Sequence, residues 1–348
     1  LATSRRMSRP ISFAGALLRA CAPIVMVVVV LLVAGAATAL PPPAEVRGEP
    51  VRFASTSPFV LAEAGEDAPP VRAEARLFLP DEASERIPAV VLLHGAGGVS
   101  WARERRYARQ FAAAGWAALV VDVFGSRVAP GTGFTERLLN ITEAMFLADA
   151  YAGLRFLAEH PRVDGERVAL VGFSYGGMAS SYALHAQVAA RYARNGERFV
   201  AHAAFYAPCI ARFDRVETTG APFLMLYGTA DAIVDPARCA ALVDDLERGG
   251  SAVTRAVYAG AAHRWDAGPS DWHAPRGLAD CRFRVGPDGR VRDARTRLPV
   301  AGFVTRTAAL ALCADDAGYR IRGDAAVKAR SDQALARFLA RAFAGEGR

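Results

Sequence analysis

The middle of the chain alternates short apolar runs with longer amphipathic stretches. The apolar runs occupy residues 88–93, 117–123, 168–171, 201–206 and 222–227, and strand-like segments also lie at residues 51–60, 71–79 and 252–258. A strand that is buried on both faces carries apolar residues without alternation. These runs therefore predict the central strands of a largely parallel sheet.

Helical spacing fills the intervals between the predicted strands. Within residues 137–160, Leu138, Ile141, Met145, Ala152 and Phe156 lie on one stripe and predict a single core-facing helix. Further helices are expected around residues 107–111, after Pro236, and at residues 326–344. The alternation predicts an α/β protein whose mainly parallel central sheet is covered by helices on both faces. Residues 264–324 break the rhythm and are interpreted as an insertion before the C-terminal helix.

The N-terminal segment resembles a targeting signal. Basic residues lead into an apolar run at residues 22–37, which ends in the A-x-A sequence Ala37-Thr38-Ala39. We expect a signal peptide at residues 1–39, a proline-rich linker at residues 40–50 and one domain at residues 51–348. The alternative is an uncleaved membrane anchor, although the run is near the lower length limit for a span. Either interpretation carries the body of the protein across the membrane. A cleaved signal predicts a periplasmic or secreted protein, and an uncleaved one predicts a membrane-anchored protein.

Composition and charge narrow the class of partner. The chain of 348 residues is 52% hydrophobic and 22% charged, as expected for a packed globular protein. Its formal charge is +7, but Arg5, Arg6, Arg9 and Arg19 supply more than half of it. The other arginines are scattered among acids and form no basic run. We therefore expect no nucleic-acid partner, and a membrane contact only through an uncleaved N-terminal segment.

Four cysteines lie beyond the N-terminal segment: Cys209, Cys239, Cys281 and Cys313. An even number in an exported chain suggests two disulfides, for which three pairings are possible, and buried free thiols are the alternative. We favour Cys209–Cys239 and Cys281–Cys313, because Cys209 ends one predicted strand and Cys239 lies one turn into the helix after the next. No C-x-x-C or H-E-x-x-H spacing is present, so no metal site is expected.

The sequence between one predicted strand and the following helix has the G-x-S-x-G pattern, in Gly172-Phe173-Ser174-Tyr175-Gly176. A sharp strand-to-helix turn of this composition is the nucleophile elbow of serine hydrolases, which exposes the serine hydroxyl. The alternative is that Ser174 only caps the helix. The elbow predicts that an acid and a histidine follow in that order.

Both partners follow at the ends of later strands. Asp231 comes after the strand at residues 222–227, and His263 comes after the strand at residues 252–258. Because the carboxyl ends of parallel strands meet at one sheet edge, we expect Ser174, Asp231 and His263 to form a catalytic triad. Asp235 is the rival acid, but it precedes Pro236 in the arrangement usual for a helix cap.

The glycine loop at residues 95–98 follows the third predicted strand. Glycines let backbone N–H groups approach a developing negative charge, so we expect the amides of Ala96 and Tyr175 to form an oxyanion hole. The alternative is a dinucleotide fingerprint, but Ser100 stands where its third glycine would be required. Two aromatic residues, Phe124 and Trp265, are expected to line the substrate pocket, with core packing as the alternative.

Jointly, these segments resemble the dienelactone hydrolase family of the α/β-hydrolase superfamily. The matching motifs are residues 94–98, 121–127, 172–177, 228–231 and 258–263. The resemblance implies an α/β-hydrolase fold. The expected serine mechanism needs no cofactor. In the family's type enzyme, arginines hold a substrate carboxylate, and Arg127 lies in a comparable loop; the alternative is an ordinary ion pair of Arg127 with an acid. That enzyme has a cysteine nucleophile, so Ser174 favours ordinary ester hydrolysis.

The sequence therefore predicts an exported serine hydrolase that cleaves small-molecule carboxylic esters through an acyl-serine intermediate. A secreted serine peptidase of the prolyl-oligopeptidase type shares the same motifs and is one alternative. A non-enzymatic binding module on a hydrolase scaffold is the other, although such a module would not need a complete triad.

Overall fold

A computed structural model describes residues 39–65, 68–81, 85–129 and 131–346. The predicted signal peptide or anchor, up to residue 38, lies outside the described residues. None of the helices in the described ranges is long and apolar enough to span a membrane.

The strands are, in chain order, β1 (Glu49–Thr56), β2 (Pro70–Phe78), β3 (Ile87–Leu93), β4 (Ala117–Asp122), β5 (Val163–Phe173), β6 (Ala201–Phe205), β7 (Ala211–Phe213), β8 (Phe223–Gly228), β9 (Val253–Tyr258), β10 (Asp271–Ala274), β11 (Phe283–Val285), β12 (Val291–Asp293), β13 (Pro299–Val300) and β14 (Tyr319–Arg322). The helices are α1 (Glu104–Ala113), α2 (Phe134–Asn140), α3 (Glu143–Ala158), α4 (Tyr175–Tyr182), α5 (Ala186–Tyr192), α6 (Pro236–Arg248), α7 (Phe303–Cys313) and α8 (Ala325–Phe343).

Eight of these strands form the central sheet in the order β1-β2-β4-β3-β5-β6-β8-β9. From β4 to β9 every neighbouring pair is parallel, whereas β2 is antiparallel to both β1 and β4. In β3 the last five residues are all buried, which explains the continuous apolar run seen in the sequence. The predicted mainly parallel sheet is confirmed.

Each face of the sheet packs its own hydrophobic core. Val90 and Leu92 of β3 join a core with α1, α6 and α8, while Val91 and Leu93 join a second core with α3, α4 and α5. Successive side chains of a strand point to opposite faces, so one apolar run supplies both cores. The prediction of helices on both faces is therefore confirmed.

The helix predicted at residues 137–160 is two helices in the structure. Helix α2 ends before Ile141, and both Ile141 and Thr142 are extended, with φ of −105° and −107°. The apolar stripe crosses the break because Ile141 is buried all the same, at 2% exposure. Periodicity alone did not reveal the interruption. The break lies beside the start of α4, because the Ile141 carbonyl accepts the Tyr175 hydroxyl at 2.8 Å.

The predicted insertion, residues 264–324, is folded onto the domain through its own strands. Strand β11 pairs in parallel with β7, β10 pairs with β14, and Ile321 of β14 forms a bridge to His263. Disulfides join Cys209 to Cys239 and Cys281 to Cys313, the two pairings favoured from the sequence. The second disulfide fixes the end of α7 to the earlier part of the insertion.

Candidate active site

A sharp turn connects β5 to α4 at Ser174. Its φ and ψ are 52° and −110°, a conformation that non-glycine residues rarely adopt. A Cβ on Gly172 would lie 2.0 Å from the carbonyl oxygen of Gly176, and a Cβ on Gly176 would lie 2.6 Å from the carbonyl oxygen of Leu93. Only glycine fits at these two positions, so the elbow requires the G-x-S-x-G pattern. The strained turn presents the serine hydroxyl at the carboxyl edge of the sheet.

The three residues predicted as a triad lie within hydrogen-bonding distance. His263 Nε2 is 2.9 Å from Ser174 Oγ, and His263 Nδ1 is 2.7 Å from Asp231 Oδ2. Asp231 Oδ1 also accepts the amide of Ile233 at 3.2 Å, which fixes the carboxylate. His263 and Asp231 are 1% and 3% exposed, whereas Ser174 is partly open to solvent. An ionised Asp231 would hold the His263 proton on Nδ1, leaving Nε2 free to accept the serine proton.

The rival acid has a structural role. Asp235 is the N-cap of α6, and its carboxylate accepts the backbone amides of Ala237 and Arg238 at 2.9 and 3.3 Å. It also forms an ion pair with the Arg238 side chain. Its carboxylate is therefore occupied at the start of the helix, and the contact with His263 is made by Asp231.

The glycine loop after β3 lies against the elbow. A Cβ on Gly95 would lie 3.3 Å from the Cβ of Ser174, so the residue before Ala96 passes directly beside the nucleophile position. His94 shapes this loop: its Nε2 accepts the Val123 amide at 3.1 Å, and its Nδ1 is 2.7 Å from the Gly95 carbonyl. Burial lowers the pKa of His94, despite the opposing effect of nearby acids, so the ring is held neutral.

Arg127 is not placed to hold a substrate, and this prediction is wrong. Its guanidinium forms a two-pronged ion pair with Asp149 at 2.6 and 2.8 Å. It also donates to the carbonyls of Thr56 and Val123 and to the hydroxyl of Ser57. The Arg127 and Asp149 side chains are only 4% and 0% exposed. Every donor nitrogen is already bound to the protein, so the alternative of an ion pair holds, although the pair is buried.

Trp265 is a core residue, so its prediction as a pocket residue is also wrong. The side chain is 1% exposed, and its ring packs edge-to-face on Tyr206 with centroids 4.8 Å apart. The indole N–H donates to Ser331 Oγ of α8 at 3.1 Å. Trp265 therefore anchors the segment after His263 to the core.

Phe124 lies under the glycine loop. Its ring packs edge-to-face on His94 at 4.5 Å and would lie 3.6 Å from a Cβ on Gly98. The guanidinium of Arg137, from α2, lies over the same ring at 5.3 Å. Phe124 is 5% exposed, and its contact with a substrate stays a prediction.

A buried polar network behind His263 was not foreseen from the sequence. Tyr206, with φ of 40°, packs its ring edge-to-face on His263 at 4.7 Å and donates its hydroxyl to Asp266 at 2.7 Å. Arg103 donates to Tyr206 at 3.4 Å and to Glu104 at 2.7 Å. Burial raises the pKa of Asp266, outweighing the opposing effect of Arg103. No sequence signal marks this network, because an Arg-Glu pair at a helix start resembles a solvated surface.

A hydrogen bond between the insertion and the elbow was also not predicted from the sequence. Arg306 of α7 donates to the hydroxyl of Tyr175, the residue after the nucleophile position, at 3.0 Å. Arg306 also forms an ion pair with Glu143 at 3.0 Å. The insertion is thus in contact with the elbow rather than only near it. Among the described residues, no group of three or more histidine, cysteine or acidic side chains could hold a metal ion.

Comparison with known proteins agrees with this fold. The chain matches the dienelactone hydrolase family over residues 73–271. It is 25% identical over 200 residues to a probable 2-oxo-3-(5-oxofuran-2-ylidene)propanoate lactonase from Bradyrhizobium sp., covering 55% of this chain and 78% of that relative. The structure is similar to a dienelactone hydrolase-like promiscuous phosphotriesterase from metagenomic libraries, with a TM-score of 0.55 and 19% identity over 84% of this chain and 98% of that one.

The family match covers more than half of the chain and includes the elbow, the Asp231 loop and the His263 loop. The solved structure carries the same fold over nearly its whole length. The α/β-hydrolase fold expected from the sequence motifs is thereby confirmed. The chain belongs to the dienelactone hydrolase family.

Proposed function

We propose that this protein is a serine hydrolase that cleaves carboxylic esters through an acyl-serine intermediate. The observation that carries the proposal is the continuous line of hydrogen bonds from Ser174 Oγ through His263 to Asp231, at 2.9 and 2.7 Å. A serine hydroxyl is a weak nucleophile unless a neighbouring base removes its proton. Here the base is already in contact, and a buried carboxylate orients it.

In the proposed reaction, Ser174 Oγ attacks the ester carbonyl while His263 Nε2 takes the hydroxyl proton. Asp231 stabilises the resulting imidazolium. The amides of Tyr175 and Ala96 stabilise the negative oxygen of the tetrahedral intermediate, and the loss of one such donor typically costs about 3 kcal/mol of activation free energy. His263 then protonates the leaving alcohol, and water releases the acyl group by the reverse route. No cofactor takes part.

The substrate class follows from the nucleophile and from the relative described above. A lactone is an internal ester, so the same steps would open its ring, and the chain's curated relative is named as a lactonase. We therefore propose carboxylic esters, lactones included, as substrates.

The arginine suited to an anionic substrate group is Arg137 rather than Arg127. Arg137 lies over Phe124, and its Nη1 would be 3.9 Å from a Cβ on Gly98 of the glycine loop. Within the part of the chain that the structure describes, its buried Nε makes no hydrogen bond. A cation beside the oxyanion loop would attract a carboxylate on the acyl group.

We also propose that the protein acts after export. Its two disulfides indicate an extracellular or periplasmic protein, because such bonds persist in oxidising compartments. The signal-like sequence at residues 1–39 supports the same proposal.

The direct test compares Ser174→Ala with the wild-type protein on a panel of p-nitrophenyl esters of varied acyl length. We expect no turnover by the variant and no labelling by a fluorophosphonate probe, whereas the wild type should be labelled at Ser174 by mass spectrometry. Ser180→Ala is the matched control, because this serine lies on the same helix and its hydroxyl only donates to the Leu170 carbonyl. Wild-type activity in Ser174→Ala would contradict the proposal.

The same panel separates the alternatives. A labelled enzyme that cleaves peptides faster than esters would be a serine peptidase. A wild-type protein that neither reacts with the probe nor turns over any ester or peptide would be a binding module.

A further inference from the structure

The side chain of Tyr175 is held at both ends. Its ring packs edge-to-face on Phe146 with centroids 4.7 Å apart, and only 6% of the residue is exposed. Its hydroxyl donates to the Ile141 carbonyl at 2.8 Å, at the break between α2 and α3, and accepts a hydrogen bond from Arg306 Nη2 at 3.0 Å. The backbone amide of the same residue immediately follows Ser174. The anchored side chain therefore restrains the backbone of residue 175, including that amide.

Arg306 connects three parts of the structure around this phenol. Its Nε donates to the Leu138 carbonyl at 3.2 Å, and its two terminal nitrogens reach the Glu143 carboxylate at 3.0 and 3.3 Å. Although burial disfavours the cation, Glu143 and Tyr175 raise its pKa above the ordinary arginine value. The guanidinium is thus permanently charged, and it makes four hydrogen bonds in a residue that is only 8% exposed. It clamps the α2–α3 break and the Tyr175 hydroxyl together.

The helix that carries Arg306 is itself fixed at its far end. Cys313, the last residue of α7, is bonded to Cys281, whose carbonyl accepts Arg238 Nη1 of α6 at 2.6 Å. Besides the pairing of β11 with β7, the side chains of Arg238 and Arg306 therefore bind the insertion to the domain at two different places. Of these two side chains, it is Arg306 that contacts the elbow, through Tyr175.

From these contacts we propose that Arg306 is a positioning residue for ester hydrolysis, acting through the Tyr175 hydroxyl to hold the oxyanion-binding amide in place. This inference rests on the proposed function and extends it to the insertion. Oxyanion donors are effective only when they are held close to their final geometry, and a displacement of about 1 Å can cost about 100-fold in rate. Arg306 supplies that restraint from outside the region matched to the family, which ends at residue 271.

The main test compares Arg306→Met with Arg238→Met. Both variants loosen one attachment of the insertion, but only Arg306→Met removes the donor to Tyr175. We expect kcat to fall by about 10- to 100-fold in Arg306→Met with little change in KM, since the restraint acts on the transition state. Arg238→Met should keep kcat near the wild-type value. Circular dichroism and thermal unfolding would establish that both variants are folded.

A double-mutant cycle separates positioning from simple anchoring of α7. Tyr175→Phe keeps the ring but removes the hydroxyl through which Arg306 acts. If Arg306 works through that hydroxyl, the losses in kcat for Arg306→Met and Tyr175→Phe will not add in the double variant. A trifluoromethyl ketone, which forms a tetrahedral oxyanion with the serine, should lose affinity in parallel with kcat across the series.

Additive losses, an unchanged kcat in Arg306→Met, or an equal loss in Arg238→Met would overturn the inference while leaving the proposed ester hydrolysis intact. A wild-type enzyme that neither cleaves esters nor binds the probe would instead refute the proposed function. Should Arg306→Met fail to fold, Glu143→Gln provides the second variant, since it weakens the clamp but keeps the acceptor shape. It is expected to lower kcat less than Tyr175→Phe does, and an unchanged kcat in both of these variants would count against the inference.

Discussion

Replacing Arg127 with methionine distinguishes a structural arginine from a substrate-binding one. In the structure, this side chain makes five hydrogen bonds, two of them to the Asp149 carboxylate and three to Ser57, Thr56 and Val123. Methionine has similar length but no donors. The Arg127→Met variant therefore leaves the Asp149 carboxylate buried without its counter-charge.

The size of the effect follows from burial. Asp149 has no exposed side-chain surface, and among the described residues its remaining side-chain partner is the hydroxyl of Ser55, which donates to it at 2.6 Å. Removing one partner of a buried ion pair costs about 3–5 kcal/mol of unfolding free energy. With an unfolding entropy of about 2.1 cal/mol/K per residue over roughly 300 residues, this corresponds to a fall in Tm of about 5–8 °C.

The assay is thermal unfolding with disulfides intact, together with kcat/KM for a neutral ester and for an ester whose acyl group carries a carboxylate. Arg52→Met is the matched control, because Arg52 pairs with Glu74 at the surface with 67% of its side chain exposed. Its loss should cost less than about 1 kcal/mol. The double variant Arg127→Met with Asp149→Leu should recover most of the lost stability, because it removes the unpaired charge as well.

The reasoning would be refuted by an Arg127→Met protein that keeps its wild-type Tm but loses activity only towards the carboxylate-bearing ester. Such a result would mean that Arg127 leaves Asp149 to bind the substrate. A lowered Tm with an unchanged ratio of the two kcat/KM values is the expected outcome.

Three further predictions follow from the same structure. Gly172→Ala should abolish folding or activity, because its Cβ would lie 2.0 Å from a backbone oxygen, whereas Gly133→Ala, with nothing within 4 Å of its Cβ, should be tolerated; soluble yield and unfolding report both. Arg137→Gln should lower kcat/KM for a carboxylate-bearing ester by about 10-fold or more and leave a neutral ester nearly unchanged, which steady-state kinetics would check, and equal effects on both esters would contradict the assignment. Burial raises the pKa of Asp266 in the folded state, so its stabilising contribution is complete at low pH and is lost as pH rises through that raised pKa. Asp266→Asn should therefore gain unfolding free energy relative to the wild type as pH rises above the ordinary aspartate range in chemical denaturation, and a difference that does not change with pH would contradict it.

The sheet and the three polar residues of the site could be predicted because their signals are local. Ser174 lies between two glycines that an elbow requires. Asp231 follows an apolar run, and His263 follows a strand-like segment. Parallel strands bring their carboxyl ends to the same edge, so chain order alone placed the three side chains together. The structure adds the distances.

What the sequence could not show depends on contacts between distant segments. Arg127 is buried only because Asp149 from α3 lies opposite it, and no pattern in either segment records that pairing. Trp265 is two positions after His263, so the sequence suggested a pocket residue. In the structure its indole packs against Tyr206 and donates to Ser331 of α8. The break at Ile141 was hidden for the related reason that a buried turn keeps the apolar stripe intact.

Each disulfide closes a loop of moderate length, because its two cysteines are 30 and 32 positions apart in the sequence. On the chain-entropy account, closing a loop of this size is worth about 3–4 kcal/mol, so the two together amount to much of a typical domain's stability. In a reducing compartment the protein would lose this stabilisation, and a larger fraction of its molecules would be unfolded. Given the proposed export and ester hydrolysis, oxidation would then be the step that makes the enzyme stable, and it would limit ester cleavage to the side of the membrane away from the cell's own esters.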